Sequence, residues 1–405
     1  MKVLVLEPHA HGHHGPYLSW MARGLAERGF EINVVTLPET AELPATRAKP
    51  GCARGNERIS VRFTGVPWSV RLPSGGADNV AGLVARELAY WRLLRAWYKA
   101  HAETVQPDVV FLPYLDYCLY AIGLLGSPFS GCPWVGLAMR PSFHYQEMGV
   151  IAPKPSLARL KKALFFRMLS NTQLRCLLTI DEPLVKYLTA YPALAAKTTF
   201  LPEPAELVGL PAPLDAKQRL GLPTERRLIL VYGAITARKG VPELLRALAD
   251  PAFPTSADVL LAGKIAPEIH QALVSPAAAP LLAQGRVRLL DRFIEIEEEP
   301  LLFAAANIVW LGYRGHYNAS GVLVQAASAG CPVVACEEGI LGWQTQRHGL
   351  GRTVNPENAA DVAAAVATLL DTVSSKAGRN EPVDLWRPPS FSEAQDILAY
   401  VLGGR

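Results

Sequence analysis

Short apolar runs alternate with helix-like segments along the whole chain, and this alternation constrains the fold more than any other feature. The run KVLVLEP at 2–8 is followed by a helical pattern at 16–29 and by FEINVVT at 30–36. Pro16 suits the first position of a helix, and Gly29 suits the position just past its end. A strand, a helix and a strand in this order form a βαβ unit, which predicts a parallel sheet.

The same alternation continues to residue 371. Further strands are predicted at 108–114, 133–139, 176–180, 227–233, 258–263, 286–291, 307–313 and 331–336, with helical patterns between them. The segment 200–214 contains four prolines and fits neither pattern, so it is interpreted as a linker. We therefore predict an α/β chain of two doubly wound domains, residues 1–203 and 204–405, in which the extreme C-terminus is free to pack back on the first domain.

Composition limits the classes of partner. Half of the residues are hydrophobic and 19% are charged, which is typical of a globular protein with a large core. The formal net charge of +4 is scattered along the chain and is too small to indicate a nucleic-acid-binding protein. A mild positive excess suits a small molecule that carries phosphate.

Cysteine spacing and hydropathy indicate a cytoplasmic protein. None of the six cysteines has a CxxC spacing, so reduced thiols are expected. The apolar run before Glu7 is too short for a secretory signal. Residues 117–139 carry no charge, but glycine and proline interrupt them, so they are predicted as a buried helix, a loop and a buried strand instead of a membrane span.

The segment GAITARKGVPELLRAL at 233–248 carries the most chemical information. Gly233 and Gly240 allow close approach of the backbone to a ligand, and Arg238 and Lys239 place two cations between a strand and a helix. The N-terminus of the helix adds partial positive charge, so the segment suits a diphosphate. A solvated pair of cations beside a glycine turn is the alternative that these residues alone leave open.

The later motifs follow this turn in a recognisable order. An apolar strand ending in AG is followed by LLFAAANIVWLGY, SGVLVQAASAGCPVVACEEG and HGLGRTVNPENAADVAAAV. Over 227–371 this order resembles the nucleotide-sugar-binding half of the retaining family-four glycosyltransferases, which have the two-domain GT-B fold. The resemblance extends less sharply over the N-terminal half.

The resemblance implies an enzyme that moves a sugar from a UDP- or GDP-sugar to a hydroxyl acceptor, with retention and without a metal ion. No cofactor is implied, because the nucleotide sugar is a co-substrate. The donor is expected on the second domain and a small-molecule, glycan or lipid-linked acceptor on the first, across a cleft. Two other interpretations stay open: a subunit that binds nucleotide sugar without transferring it, and an epimerase or phosphorylase of the same fold.

By this resemblance several residues receive roles at the donor. Arg238 and Lys239 would contact the diphosphate, and Gly233 would lie beside it. Ser320, Gly321 and Val322 would offer backbone N–H groups to the sugar and phosphate. Gly339 would lie near the rim of the cleft.

The sequence departs from the family in two respects. The family usually has two glutamates eight residues apart, where this chain has Tyr317 and Gln325. The amide of Gln325 is able to bond ribose hydroxyls, so we expect it to contact the donor. Tyr317 brings no negative charge to the sugar, and the neighbouring carboxylates are Glu337 and Glu338. A second departure is Ala234, where the family usually has arginine.

Four histidines cluster in EPHAHGHHG at 7–15, between the first strand and the first helix. In enzymes of the resembling family this loop is rich in glycine and touches donor phosphate and acceptor. Gly12 and Gly15 are therefore expected at the donor, and His13, His14 and Tyr17 at the acceptor. A polar loop without a binding role and a metal site are the alternatives, but a metal needs three or four converging ligands and no DxD motif occurs.

Two further segments of the first domain are candidates. Arg140 and His144 follow the strand at 133–139, where family members often carry a functional histidine, and each is expected to contact donor phosphate or acceptor. The segment LARLKKALFFRML at 157–169 predicts a basic amphipathic helix. Such a helix docks on a membrane surface or packs its apolar face on its own domain.

Overall fold

The computed structural model describes residues 1–8, 14–41, 61–67, 80–205, 207, 209–375 and 386–404. The chain forms two compact units. The first contains Met1–Met148, Lys154–Pro202 and Phe391–Arg405, and the second contains Gly149–Pro153 and Glu203–Ser390. The main division thus falls between Pro202 and Glu203, and the predicted boundary lay between residues 203 and 204.

The first unit is a seven-stranded parallel sheet with helices between the strands. Its strands are β1 (Lys2–Glu7), β2 (Glu31–Thr36), β3 (Val61–Gly65), β4 (Val109–Leu112), β5 (Trp134–Ala138), β6 (Leu174–Thr179) and β7 (Thr198–Phe200). Its helices are α1 (His14–Glu27), α2 (Pro38–Ala41), α3 (Val80–Val105), α4 (Leu119–Leu125), α5 (Ala158–Leu169), α6 (Glu182–Leu188) and α7 (Pro192–Ala195). The strand order is β3-β2-β1-β4-β5-β6-β7.

The central strands of this sheet are buried on both faces. All residues of β4 and β5 are buried, as expected for strands of parallel sheets that are covered by helices on both sides. Trp134 and Phe165 are among the largest completely buried side chains. Helix α5 packs closely on α4 at Gly123. A Cβ at this position would collide with the carbonyl oxygen of Leu164. The apolar face of α5 is therefore in the core of its own unit.

The second unit is a six-stranded parallel sheet. Its strands are β8 (Arg227–Tyr232), β9 (Ala257–Ala262), β10 (Val287–Leu290), β11 (Ile308–Leu311), β12 (Val333–Cys336) and β13 (Gly351–Val354). Its helices are α8 (Pro213–Arg219), α9 (Val241–Leu248), α10 (Pro267–Leu273), α11 (Ala279–Ala283), α12 (Glu299–Ala305), α13 (Gly321–Ser328), α14 (Gly339–Arg347) and α15 (Ala359–Ser375). The strand order is β10-β9-β8-β11-β12-β13.

Two hydrophobic clusters cover the faces of the second sheet. One cluster contains Leu244 of α9 and Val362 of α15, and the other contains Phe303 of α12 and Leu323 of α13. The helices therefore lie on both faces, which is the doubly wound arrangement. The last helix, α16 (Phe391–Gly403), belongs to the first unit.

The predicted fold class, two doubly wound α/β sheets, is confirmed. One boundary was wrong, because α1 begins at His14 and not at Pro16. Proline is tolerated at the third position since backbone N–H groups of the first turn have no partner within the helix. His14 and Gly15 thus lie in the first turn of α1 and not in the preceding loop.

Two expectations about membranes and cysteines concern only part of the chain. Among the residues that the structure describes, no helix combines the length and the apolar character needed to cross a bilayer. The five cysteines in the described ranges have free thiols. Cys52 lies outside those ranges.

Candidate functional site

The strand order of the second unit locates a candidate site. Strands β8 and β11 are adjacent and parallel, and the order runs outward from them in opposite directions. At such a switch point the loops after the two strands diverge, and ligands of doubly wound sheets bind in the resulting crevice at the carboxyl ends. The loops after β8 and β11, together with helix α13, contain most of the predicted donor-binding residues.

The loop after β8 turns tightly into α9. Gly233 has a φ of +95°, and Ala237–Lys239 form one turn of 3-10 helix that ends at Gly240. Gly240 has a φ of +65°, and a Cβ there would collide with the carbonyl oxygen of Gly312. Glycine is therefore required at this position, both for its conformation and for the close approach of two chain segments.

Lys239 is a buried cation. Its side chain is only 5% exposed, and its Nζ donates a 2.6 Å hydrogen bond to the hydroxyl of Tyr313. Burial, and then the nearby charge of Arg238, lowers the pKa of Lys239 to about 7. No carboxylate forms an ion pair with Lys239 in the part of the chain that the structure describes.

Tyr313 joins the two loops of the site. It follows β11, is 3% exposed, and is hydrogen-bonded to the side chain of Ser320 as well as to Lys239. Burial raises the pKa of Tyr313 to about 12, so its hydroxyl is neutral near pH 7. The partner of Lys239 therefore brings no negative charge.

Arg238 is exposed at the same place and is held by a histidine. Its Nη1 lies 3.2 Å from Nδ1 of His316, and Nε2 of His316 lies 3.1 Å from the carbonyl oxygen of Ala319. The carbonyl accepts, so Nε2 carries the proton and Nδ1 accepts from the guanidinium. His316 thus positions Arg238 as a neutral imidazole.

The N-terminus of α13 is the third source of positive potential. Ser320 precedes the helix and is 7% exposed, but its side chain does not cap the helix. Gly321, the first residue of α13, is exposed, and Val322 is partly buried. The first N–H groups of a helix have no partner within it, so Gly321 and Val322 present N–H groups that an anion can accept.

Gln325 lies one turn further along α13 and bonds to a glutamate that sequence reasoning did not find. Its Nε2 donates to Oε2 of Glu299 at 2.7 Å, and Oε1 of Glu299 accepts from the hydroxyl of Tyr232 at 2.5 Å. Gln325 is also hydrogen-bonded to Tyr232. Burial raises the pKa of Glu299 above its ordinary value. The signal for Glu299 was weak, because it is one of three consecutive glutamates at the start of α12.

Tyr317 lies beside one of the two neighbouring carboxylates. Burial raises the pKa of Tyr317, and the negative charge of Glu338 adds to this effect. A Cβ at Gly339 would collide with the backbone of Tyr317. Glu338 thus brings a carboxylate to the region where the tyrosine replaces one.

A second carboxylate missed by sequence reasoning is Glu203. Its Oε1 lies 3.9 Å from the position that a Cβ on Gly321 would occupy, so it is near the N-terminus of α13. Burial alone raises the pKa of Glu203 to about 7. Glu203 lies in the proline-rich segment 200–214, which was interpreted as a linker, so no role at the site was predicted for it.

The predicted histidine loop of the first unit lies largely outside the described residues. Gly12 and His13 are among the undescribed ones, while His14 and Gly15 begin α1. Tyr17 lines a pocket at the carboxyl ends of β1, β4 and β5. The other lining residues are Glu7, Leu18, Met21, Pro113, Tyr114 and Met139.

Arg140 and His144 occupy different environments. Arg140 is exposed, lies over the ring of Tyr114 at 5.3 Å, and donates its backbone N–H to Asp116 at 2.7 Å. His144 is completely buried, and its Nε2 lies 3.2 Å from Oδ1 of the equally buried Asp181. The structure therefore gives His144 a partner in the core, whereas Arg140 faces solvent.

No group of three or more metal-ligating side chains occurs within the described ranges. The candidate site consists of cations and helix N–H groups: Lys239, Arg238, Ser320, Gly321 and Val322. Tyr313 and His316 hold the two cations. Such a set is suited to bind an anion with several oxygens.

Two glycosyltransferase families match parts of the chain. Residues 226–372 match a family described as "Glycosyl transferases group 1", and residues 14–204 match one described as "Glycosyl transferase 4-like domain". Among curated proteins, no sequence matches the chain.

Several solved structures are similar in fold. Sucrose-phosphate synthase from Thermosynechococcus elongatus has a TM-score of 0.63 and 16% identity, covering 99% of this chain and 96% of that one. HepE from Anabaena, in complex with UDP and glucose, has a TM-score of 0.61 and 17% identity, covering 100% and 99%. WaaG, a glycosyltransferase involved in lipopolysaccharide biosynthesis, has a TM-score of 0.55 and 16% identity, covering 99% and 95%.

At these identities the solved structures establish the fold, and the two family matches establish the activity class. The matches together span most of the chain and fall on both units. This chain belongs to the family-four-like glycosyltransferases with the GT-B fold.

Proposed function

We propose that this glycosyltransferase takes its sugar from a UDP- or GDP-sugar, transfers it with retention to a hydroxyl acceptor, and needs no metal ion. The observation that carries the donor class is Lys239. A buried ammonium group whose bonded partner is a neutral phenol is stabilised by an anion, and a diphosphate supplies one.

The same residues account for the chemistry. As the bond from the sugar carbon to the diphosphate oxygen breaks, negative charge grows on the departing nucleoside diphosphate. Lys239, Arg238 and the N–H groups of Gly321 and Val322 lie where they stabilise that charge, which is the role that a metal ion has in other transferases. The acceptor oxygen then forms the new bond to the sugar carbon, and its hydroxyl proton passes to the oxygen of the departing diphosphate.

Two lines of support come from similar enzymes. HepE from Anabaena was solved with UDP and glucose, which supports a UDP-sugar as the first donor to test. Retention is supported by the resemblance of the second unit to retaining enzymes. The carboxylate of Glu338 beside Tyr317 is our candidate for a contact with sugar hydroxyls.

The acceptor is proposed to bind the first unit, at the pocket lined by Tyr17 and Tyr114. Arg140 is exposed over Tyr114 and is a further candidate contact. Leu157 and Leu160 are about half exposed beside Arg159, which leaves room for peripheral contact with a membrane that holds a lipid-linked acceptor. We propose that the reaction takes place in the cytoplasm, where free thiols are stable.

A thermal-shift screen with UDP, GDP and their sugars tests the donor class, because a ligand that binds only the folded protein raises the melting temperature. We expect one nucleoside diphosphate and its sugars to raise it without added metal and in the presence of a chelator. Release of nucleoside diphosphate with and without candidate acceptors then reports transfer. A protein that responds to none of these ligands would refute the proposal.

A further inference from the structure

A carboxylate without a cation lies next to the proposed phosphate site. Glu299 is partly buried at the start of α12, and its two oxygens accept from Tyr232 and from Gln325. No ion pair to Glu299 occurs among the described residues. Its charge is therefore balanced by hydrogen bonds from neutral groups only.

The donors of this cluster are all in use. The hydroxyl of Tyr232 donates to Glu299, while Gln325 donates to Glu299 and is also bonded to Tyr232. The amide of Gln325 must present Nε2 to the carboxylate, since two facing acceptors would repel each other. The cluster still has unused hydrogen-bond acceptors, namely one further lone pair on each oxygen of Glu299 and the Oε1 atom of Gln325. A ligand that binds here must bring hydrogen-bond donors.

The cluster lies close to the phosphate site on two elements. Tyr232 directly precedes Gly233, and a Cβ on Gly233 would lie 3.7 Å from Nζ of Lys239. Gln325 follows Gly321 by four residues on α13, which places the two on one face of the helix about 6 Å apart. This spacing is that of neighbouring chemical groups in one small ligand.

We propose that Glu299, together with the amide oxygen of Gln325, binds the two ribose hydroxyls of the donor and selects ribonucleotides over deoxyribonucleotides. This inference rests on the proposed nucleoside diphosphate sugar. The pentose is attached directly to the diphosphate, and its two adjacent hydroxyls are donors that these free acceptor sites are able to accept. In this arrangement the carboxylate that binds the ribose belongs to Glu299 of α12, and Gln325 of α13 contributes an amide.

The test measures binding by calorimetry without added metal. Three kinds of probe are used: pyrophosphate, the nucleoside diphosphates UDP and GDP, and their 2′-deoxy forms. We expect the native protein to prefer UDP or GDP over the 2′-deoxy form by about tenfold. Glu299→Gln should reduce that preference to less than about threefold and leave pyrophosphate affinity within about twofold. Glu297→Gln removes an equal charge from an exposed position two residues away and should change nothing.

A charge-relocating pair of substitutions separates binding from a general effect on folding. Glu299→Gln with Gln325→Glu keeps one carboxylate and one amide in contact, so we expect the ribose preference to return to within about threefold of the native value. The inference would be overturned if Glu299→Gln kept the native preference for the ribonucleotide over its 2′-deoxy form, or if the native protein had no such preference. In either case, binding of pyrophosphate would still support the phosphate site. Failure of the native protein to bind any of the three probes would overturn the proposed function as well.

Discussion

The ammonium nitrogen of Lys239 lies 2.6 Å from the phenolic oxygen of Tyr313 and 4.4 Å from the centroid of its ring. The ring face and the oxygen lone pair both attract a cation, but neither neutralises it. The strength of anion binding at this site therefore depends on Lys239.

We expect Lys239→Ala to weaken binding of UDP or GDP at least tenfold, about 1.4 kcal/mol. Calorimetry at pH 6.5 measures this where the lysine is charged. Lys264→Ala is the control, because Lys264 is 75% exposed and pairs with Asp291 outside the site. Unchanged affinity in Lys239→Ala would remove the phosphate assignment.

Nucleotide binding should take up a proton above pH 7. The pKa of Lys239 is lowered to about 7 by burial and Arg238, and a bound diphosphate favours the charged form and raises it. The affinity should therefore fall as pH rises from 7.5 to 9, at a slope approaching about tenfold per unit. The phosphates of the nucleotide do not titrate there, since the second pKa of a phosphate ester is about 6.

Calorimetry at pH 8 in two buffers of different ionisation enthalpy measures the proton uptake directly. Lys239→Ala should bind weakly with no such uptake. Native binding that takes up no proton at pH 8 would show that Lys239 stays neutral in the complex.

Glu87→Gln should stabilise the protein at neutral and alkaline pH. Glu87 is 4% exposed on α3 and accepts from the backbone N–H of Ala121 at the start of α4. Burial raises the pKa of Glu87 from 4.5 to about 7, so the folded state binds more protons than the unfolded state between these values. The carboxyl group therefore costs stability progressively as pH rises through this window, and the cost is complete above pH 7.

The glutamine keeps an oxygen for Ala121 and carries no charge. Melting temperatures measured at pH 5 and pH 8 should differ less in Glu87→Gln than in the native protein, with a gain of about 2–4 kcal/mol at pH 8. Glu103→Gln, on the exposed face of the same helix, is the matched control. An equal gain at both pH values would contradict the role of ionisation.

Gly240→Ala should disrupt the phosphate loop more than the same change at an open position. Gly221 has the same φ of +65°, but nothing lies within 4 Å of a Cβ there. Both substitutions cost about 1 kcal/mol through the left-handed backbone. Only Gly240→Ala also pushes against Gly312. Pyrophosphate affinity should fall in Gly240→Ala and persist in Gly221→Ala, and equal affinities would show that the loop tolerates the displacement.

Much of the fold was predictable because the parallel strands are buried on both faces. Strands such as β9, ADVLLA, read as continuous apolar runs, and the alternation with helices fixed the fold class. The short strands β3, β7 and β13 were not predicted. VRFTG and GRTV contain arginine and glycine and lie at sheet edges, where burial leaves a weaker pattern.

The candidate site was only partly predictable. Lys239 and Arg238 were recognised from a local motif, since glycines and cations were adjacent in sequence. Tyr313 and Glu299 were not, because their roles depend on contacts with residues 74 and 26 positions away. Spacing along the chain does not encode which strand end meets which loop.

The polypeptide passes between its two units four times, after residues 148, 153, 202 and 390. The last passage returns α16 to the first unit, where Arg28 bonds to Asp396 and to Gln395. A fragment that stops at residue 202 would therefore lack part of its own fold, whereas residues 203–390 form a nearly continuous piece. Removing the last fifteen residues therefore truncates the N-terminal unit, and a C-terminal affinity tag is attached to that unit.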